Sequence, residues 1–299
     1  MYSQITSNKR KTWVLVSIFS VFATALVWLL LLQFSVPPEE GILIATAVAV
    51  IYSTASYYFS DRAVLSSNRA KPLAKRDNPE LYRLVENLSI TAGIPTPKIY
   101  VINDPSPNAF ATGRDPHHAT VTFTTGILSL LNKQELEGVA AHEISHIKNF
   151  DIRVMTIVVG LVGLVILVSE ILLRVNFLRN SRSKEARQMM IFFMLFGFLL
   201  AILSPLIAQV IKLAVSRSRE YLADANGALL TRYPQGLAEA LRKMRDHASP
   251  LKHANDATAH LFISDPFGGK KKKTPFMHKL FMTHPPIDDR IAKLTGMNK

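Results

Sequence analysis

Two long apolar segments near the N-terminus most constrain how this chain of 299 residues folds. The first runs from Trp13 to Phe34 without a charged residue and follows a basic cluster at 9–11, and the second runs from Ile42 to Phe59. About 20 apolar residues suffice for a helix to cross a bilayer. The first run exceeds the apolar core of a cleavable signal peptide, so we expect an uncleaved membrane anchor.

Charge around these two segments predicts their orientation. Glu39 and Glu40 lie between the segments, whereas five basic residues follow the second between Arg62 and Arg76. The positive-inside rule then places the N-terminus and the region after Asp61 in the cytoplasm. Basic loops facing anionic lipid also explain the net charge of +13, and we expect no nucleic-acid partner.

Two further apolar blocks extend over Val154–Ser169 and Met189–Ile211. We expect both to cross the membrane, which gives four apolar helices in all. The linker between them is basic and would then face outside, against the positive-inside rule. A hairpin that crosses incompletely is the alternative.

The remaining segments resemble a small α+β domain. Capping and turn residues predict a helix over about 79–92 and another from the Asn132–Glu135 capping box to about Phe150. Further expected elements are strands at Lys98–Ile102 and Ala119–Thr125, an edge strand at Asn108–Gly113, and a helix at Gln235–Ala248. We divide the chain into 1–60, 61–150, 151–215 and 216–299.

A five-residue motif on the second of these helices predicts a metal site. His142 and His146 are one helical turn apart, so both can bind one Zn²⁺, and Glu143 beside them can accept a proton from water. Because the chain contains no cysteine, the ligands must be His, Asp or Glu. The alternative is two histidines exposed near a membrane surface.

Helix geometry excludes several candidates for the third metal ligand but does not identify a single residue. Asp151 lies about 140° around the helix from His146, and Glu170 would lie about 36 Å along a continuous helix. Glu185 falls in the distant linker. The two apolar blocks leave from the helix of His142 and His146 and return to the same side of the membrane. The chain after them therefore lies level with the histidines, and it carries two carboxylates four residues apart on one helix face, Glu220 and Asp224. One can bind metal while the other orients a ligand imidazole, unless both form ordinary surface ion pairs. The best non-carboxylate alternative is His284.

These residues carry a resemblance over essentially the whole chain. The motif at His142–His146 and the segments Pro107–Gly113, Arg219–Asp224 and Thr283–Ile291 resemble the HtpX membrane metalloproteases, bacterial relatives of the CAAX-processing zinc protease. The resemblance implies a zincin-like catalytic domain with a short edge-stranded sheet in a mainly α membrane protein.

It also implies a zinc metalloendopeptidase with one Zn²⁺ per chain, bound by His142, His146 and Glu220, with Asp224 orienting a ligand. The implied enzyme lies in the bacterial inner membrane, spans it several times, faces the cytoplasm and degrades misfolded or damaged membrane proteins under stress.

The expected mechanism is metal-assisted peptide hydrolysis. Glu143 takes a proton as water attacks the scissile carbonyl and passes it to the leaving amine. In the family pattern His284 stabilises the oxyanion and is held in place by Arg290, although it could instead cap the last helix.

An extended substrate could pair with Asn108, Ala109 and Phe110, which could instead form an ordinary edge strand. We expect the other histidines to lie on the surface.

Two other functions compete with this interpretation. A CAAX-type processing protease would act on lipidated peptides, but four apolar blocks are few for the large chamber of those relatives. A non-enzymatic membrane scaffold or transporter would carry the motif by chance.

Overall fold

The computed structural model describes residues 2–32, 36–160, 163, 217–254, 257–268 and 285–297. Most of them are helical. The helices are α1 (Tyr2–Leu32), α2 (Pro38–Ser67), α3 (Pro79–Ala92), α4 (Thr125–Leu130), α5 (Lys133–Lys148), α6 (151–160), α7 (Arg217–Thr231), α8 (Pro234–Asp246) and α9 (Ile287–Gly296). The strands are β1 (Lys71–Pro72), β2 (Lys98–Ile102), β3 (Ala109–Gly113) and β4 (Ala119–Thr124), and short 3-10 helices lie at Pro116–His118 and Ala259–Leu261.

Helices α1 and α2 pack against each other as a hairpin through small residues. Gly41, Ala45, Ala49 and Ser53 recur every fourth position on the buried face of α2, where small side chains let two helices approach closely. The Ser53 hydroxyl is 2.9 Å from that of Ser20 in α1.

Large apolar side chains point away from this hairpin. In α2, Leu43 and Ile51 are 72% and 69% exposed, as suits side chains that contact lipid. Segments Ile5–Trp28 and Pro38–Ser67 are long and apolar enough to cross a membrane. Helix α1 contains the first predicted span as far as Leu32, where the description breaks off, and it already begins at Tyr2. The second predicted span lies within α2, which continues past Phe59 to Ser67.

The predicted helix at 79–92 is confirmed as α3, with the expected ends. The Asn78 side chain accepts a hydrogen bond from the Leu81 N–H at 3.1 Å, and Pro79 is the first helical residue. Gly93 ends the helix at φ 71°, a left-handed conformation that glycine adopts without strain. Leu81, Val85 and neighbouring apolar residues on one face of α3 pack into the main core.

A small mixed sheet has the strand order β1-β2-β4-β3. Strand β2 runs parallel to β4, and the outer strands run antiparallel to their neighbours. The sheet confirms the three predicted strands, with β3 at an edge and β4 ending one residue early at Thr124. Strand β1 was not predicted, because two residues carry no alternating pattern.

Helix α5 is the centre of this domain. It begins with the predicted capping box, in which Asn132 and Glu135 bond to each other's backbone N–H groups at 3.0 and 2.8 Å. Every residue from Gly138 to Ile147 is buried. The helix ends at Lys148 rather than Phe150, which instead adopts a left-handed φ of 59° before α6 begins.

The prediction of four apolar helices extends beyond this description. The described part of the third block, 154–160 and residue 163, is helical, and the fourth block lies outside the described residues. Within the described ranges, the chain is a mostly helical protein with a small mixed sheet and two membrane-length helices.

Close packing of α5 on α8 gives a test of this arrangement. A Cβ atom at Gly138 would lie 2.6 Å from the backbone nitrogen of Leu237, so Gly138→Ala must push the two helices apart. We expect the melting temperature to fall by roughly 2–10 °C, since overpacking a core costs about 1–3 kcal/mol.

Gly296→Ala is the matched control, because no described atom lies within 4 Å of the position of its Cβ. Thermal melts of the purified proteins compare the two variants. Equal melting temperatures for Gly138→Ala and the unsubstituted protein would contradict the close approach.

Candidate metal centre

The two histidines of the motif face one point inside the protein. His142 and His146 are both buried on α5, and their Nε2 atoms are 3.1 Å apart. Their rings are nearly perpendicular, at 89°, with centroids 4.7 Å apart. This arrangement directs two nitrogen lone pairs at a common centre, and it excludes the alternative of two exposed surface histidines.

Glu220 brings a carboxylate to the same centre from α7. Its Oε1 atom lies 3.4 Å from Nε2 of His146, and its Oε2 atom lies 3.7 Å from Nε2 of His142. Helix α7 reaches this position because Gly227 packs against α5, where a Cβ atom would be only 3.1 Å from the His142 backbone nitrogen. The three side chains form a group whose ligand atoms all lie within 4.8 Å of one another.

Two further carboxylates orient the imidazoles. Asp224, four residues after Glu220 on the same buried face, lies 2.9 Å from Nδ1 of His142. Asp151 lies 3.1 Å from Nδ1 of His146. A carboxylate that accepts from Nδ1–H fixes the tautomer, so that Nε2 is free to bind a cation.

Asp151 is the residue at this site that sequence analysis missed. The helix geometry that excluded it as a metal ligand assumed that α5 continues to residue 151. The left-handed Phe150 ends that regularity and turns Asp151 back toward His146. Asp151 contacts the outer nitrogen of the ring, so it acts by orienting the ring. The sequence signal was weak, since a left-handed Phe is uncommon.

Arg290 links the last helix to this cluster. Its side chain is only 1% exposed and donates to both oxygens of Asp224, from Nε at 2.9 Å and from Nη2 at 2.7 Å. It also donates to the Ile263 carbonyl at 3.0 Å and lies 3.7 Å from Glu220. The guanidinium therefore balances the buried carboxylates and ties α9 to α7.

The buried charges shift the pKa values of this cluster strongly. Burial lowers the pKa of His142 to about 4, with help from Arg290 and His146. Burial opposes the charged form of His146 too, but the hydrogen bond to Asp151 and the charge of Glu220 outweigh it and raise its pKa to about 9. For Asp224, Arg290 and His142 overcome the effect of burial and hold the pKa well below its usual range. The carboxylates of Asp151 and Glu220 therefore favour positive charge beside His146, which is the charge that a divalent cation would bring.

Glu143 differs from these carboxylates because burial dominates. Burial raises the pKa of Glu143 to about 7, against the opposing charge of His146. The backbone N–H of Ala111 in β3 lies beside this carboxylate and favours its charged form, a smaller effect. A carboxylate with a pKa near neutrality can both accept and return a proton.

The three inner donors fit a zinc ion. Tetrahedral zinc with ligands at about 2.0–2.1 Å separates neighbouring ligand atoms by about 3.3–3.4 Å. The two imidazole nitrogens are 3.1 Å apart, and each has a Glu220 oxygen close to that distance, Oε1 at 3.4 Å from His146 and Oε2 at 3.7 Å from His142. Two imidazoles and one carboxylate are also a donor set that zinc accepts, leaving a fourth position for water.

The edge strand beside Glu143 is partly covered by the chain itself. Thr124 N–H donates to the Asn108 carbonyl, so the backbone groups of Ala109, Ala111 and Gly113 alternate outward, away from β4. The Ala109 carbonyl accepts from the Ile263 N–H at 2.9 Å, and the Gly113 N–H donates to Thr156 at 3.2 Å.

The side chains predicted to bind substrate are engaged inside the protein. The Asn108 amide exchanges hydrogen bonds with the Ser264 backbone at 3.0 and 3.3 Å. The Phe110 ring packs edge-on against Phe262 with centroids 5.0 Å apart. Their position beside the edge agrees with the expected strand, and their side chains anchor residues 262–264.

Two expectations about histidines have different outcomes. His284 lies outside the described residues. The expectation that the other histidines are exposed is wrong for His260, which is buried and lies 3.0 Å from the Met155 carbonyl. His117 and His118 are exposed as expected.

Comparison with known proteins adds independent evidence. The model of peptidase family M48 matches residues 75–298. A protease HtpX homologue of Dictyoglomus thermophilum is 44% identical over 299 residues, covering all of this chain and 95% of the relative. One from Tropheryma whipplei strain Twist is 44% identical over 297 residues, and one from Streptococcus gordonii is 40% identical over 308. These alignments cover 99% of this chain and 98% and 100% of the relatives.

A solved structure shares the fold. Ste24p of S. mikatae superposes with a TM-score of 0.50 at 20% identity, covering 98% of this chain and 67% of the other. The similarity is one of fold and adds no substrate, whereas the family and its relatives remove the scaffold or transporter alternative. Because the family model matches most of the chain and the relatives match over its full length, the chain belongs to peptidase family M48 and is a metalloprotease of the HtpX type.

Proposed function

We propose that this metalloprotease is a zinc-dependent endopeptidase that binds one Zn²⁺ per chain through His142, His146 and Glu220. The main support for the proposal is that three buried side chains bring their donor atoms to one point. In addition, a carboxylate lies beside Nδ1 of each imidazole, which leaves Nε2 to bind the metal. Bound zinc would supply Lewis-acid chemistry, polarising a carbonyl and lowering the pKa of water.

The chain itself supplies the proton transfers. Glu143 accepts a proton at its carboxylate from the attacking water and returns it to the leaving amine nitrogen. Its raised pKa suits both steps, and the Ala111 N–H beside it favours the charged form to which the proton is added. His284 is our proposed donor to the oxyanion on the strength of the sequence pattern. Arg290 fixes Asp224, which holds His142, and its Nη2 atom also lies 3.4 Å from both nitrogens of the His142 ring.

We further propose that an extended substrate adds to the edge formed by Asn108, Ala109, Phe110 and Ala111. This edge leads directly to Glu143, and extended peptides bind free sheet edges through main-chain hydrogen bonds. Pairing along the whole strand requires the Ile263 bond to Ala109 to open. Two membrane-length helices support misfolded or damaged membrane proteins as substrates, because they would hold the active site at the bilayer. Membership of the HtpX type supports quality control under stress as the role.

The proposed location is the bacterial cytoplasmic membrane, with several spans and the active site on the cytoplasmic side. The basic residues that flank the hairpin support this orientation. The four proposed parts remain 1–60, 61–150, 151–215 and 216–299, and helix α2 continues across the first boundary.

The first test replaces the proposed base. Glu143→Gln keeps the size of the side chain but cannot accept the proton, so peptide cleavage should fall by about 10²–10⁴-fold. Zinc content should remain one per chain. Glu137→Gln on the same helix is the control, and cleavage is measured with a quenched peptide or casein. Similar rates for Glu143→Gln and the unsubstituted enzyme would remove Glu143 from the mechanism.

A second test addresses the third ligand. Glu220→Ala removes the only carboxylate in the three-ligand group of the described residues, so zinc affinity should fall by at least about a hundredfold. Competition with a chelator measures the affinity, and Glu239→Ala, an exposed position on α8, is the control. Unchanged metal content in Glu220→Ala would shift the ligand role to Asp224 or His284.

A third test concerns orientation in the membrane. Because the chain contains no cysteine, a single introduced cysteine reports its own side of the membrane. Glu39→Cys should react with an impermeant maleimide in intact spheroplasts, whereas Arg76→Cys should react only after lysis. The opposite labelling pattern would invert the proposed topology.

A further inference from the structure

The first membrane helix reaches the turn that follows the metal-binding helix. Asn8 in α1 is 1% exposed, and its Nδ2 atom donates to the Asn149 carbonyl at 2.8 Å and to Oδ1 of Asp151 at 2.7 Å. Both partners are acceptors, so only the amino group of the Asn8 amide can face them. A contact across more than 140 residues thus joins the membrane hairpin to the end of α5.

Asp151 uses its two oxygens in different directions. Oδ2 lies 3.1 Å from Nδ1 of His146, while Oδ1 accepts from Asn8 and lies 3.6 Å from the Arg219 guanidinium. If the Asn8 amide is removed, one oxygen of this buried carboxylate loses a close donor. The carboxylate can then rotate, and the His146 ring loses its fixed direction.

The same turn carries an uncommon backbone conformation. Phe150 has a φ of 59°, and the ammonium group of Lys9 lies 4.8 Å from the centre of its ring. A non-glycine residue in the left-handed region persists where its surroundings hold it. Asn8 and Lys9, neighbours on α1, both contact this turn.

We infer that Asn8 is a positioning residue for the metal centre, which acts through Asp151 on the His146 ligand. The first membrane helix is then a structural part of the zinc site as well as an anchor. The inference rests on the proposed zinc function, and it extends that site by a residue near the N-terminus.

The experiment measures zinc affinity of the full-length protein in detergent by competition with a fluorescent chelator. Residues that support metal ligands typically contribute 10–100-fold in affinity. Asp151 contacts the ligand His146 directly, whereas Asn8 contacts only Asp151. We therefore expect Asn8→Ala to lower zinc affinity by about tenfold and Asp151→Ala to lower it more. In the double variant the losses should not multiply, because both act along one path.

Exchanging the Asn8 amide with the Asp151 carboxylate distinguishes a residue that positions His146 from one that only stabilises the fold. Asn8→Asp places two carboxylates face to face and should weaken zinc binding more than Asn8→Ala. Asp151→Asn should weaken binding in the unsubstituted protein but strengthen it in the Asn8→Asp background, since the amide then donates to Asp at position 8 while its carbonyl accepts from His146. A residue that only stabilised the fold would not reverse the sign of the Asp151→Asn effect.

Ser20→Ala, which removes another polar contact of α1, is the control and should leave zinc affinity unchanged. Thermal melts of the zinc-free variants identify any that fail to fold. If Asn8→Ala fails to fold, the comparison of Asn8→Asp with the double variant Asn8→Asp/Asp151→Asn replaces it: tighter zinc binding by the double variant supports the inference, and equal or weaker binding contradicts it. Unchanged affinity in Asn8→Ala, or losses that multiply with Asp151→Ala, would overturn the inference. Absence of tight zinc binding by the unsubstituted protein would instead overturn the proposed function, and the inference with it.

Discussion

The structure depends on pairing charges that are almost entirely removed from water. Asp224, Glu220, Arg290 and two histidines meet between α5, α7 and α9. Isolated, any of these charges would cost several kcal/mol to bury, so each must find a partner of fitting geometry. Arg290 meets this requirement for Asp224 with two short hydrogen bonds, and the carboxylates in turn hold the imidazoles. The geometry of the proposed zinc site follows from this pairing.

The backbone brings these groups together by close helix contacts. Gly138 lets α8 approach α5 to a distance that a methyl group would not allow, and Gly227 lets α7 approach α5 so closely that a methyl group would be tight. Helix α5 is consequently enclosed on several sides, which explains why a stretch containing two histidines and a glutamate is buried throughout. Chemistry and packing therefore constrain the same residues, and a glycine can matter to the site as much as a ligand does.

Local patterns made much of this predictable from sequence. Asn78, Pro79 and Gly93 mark both ends of α3, and Asn132 with Glu135 marks the start of α5, because caps act over three or four residues. The spacing of His142 and His146 likewise indicates a shared face.

Contacts made by a single residue across the chain could not be predicted in this way. Strand β1 pairs through two residues, and Asp151 reaches His146 only because Phe150 leaves the helical conformation. Asn8 belongs to no motif, and its partners lie more than 140 residues away. The burial of His260 against the Met155 carbonyl is similar, since nothing near it in sequence indicates that contact.

The covered edge of the sheet has a further consequence for the solubility of the domain. Exposed strand edges invite indiscriminate association, including fibril growth, because they present unsatisfied backbone groups. Here Ile263 and Thr156 form hydrogen bonds with outward-facing backbone groups of Ala109 and Gly113. Glu143 lies beside the backbone N–H of Ala111. Another polypeptide chain can pair with this edge only by displacing these internal hydrogen bonds, so the edge is protected against aggregation.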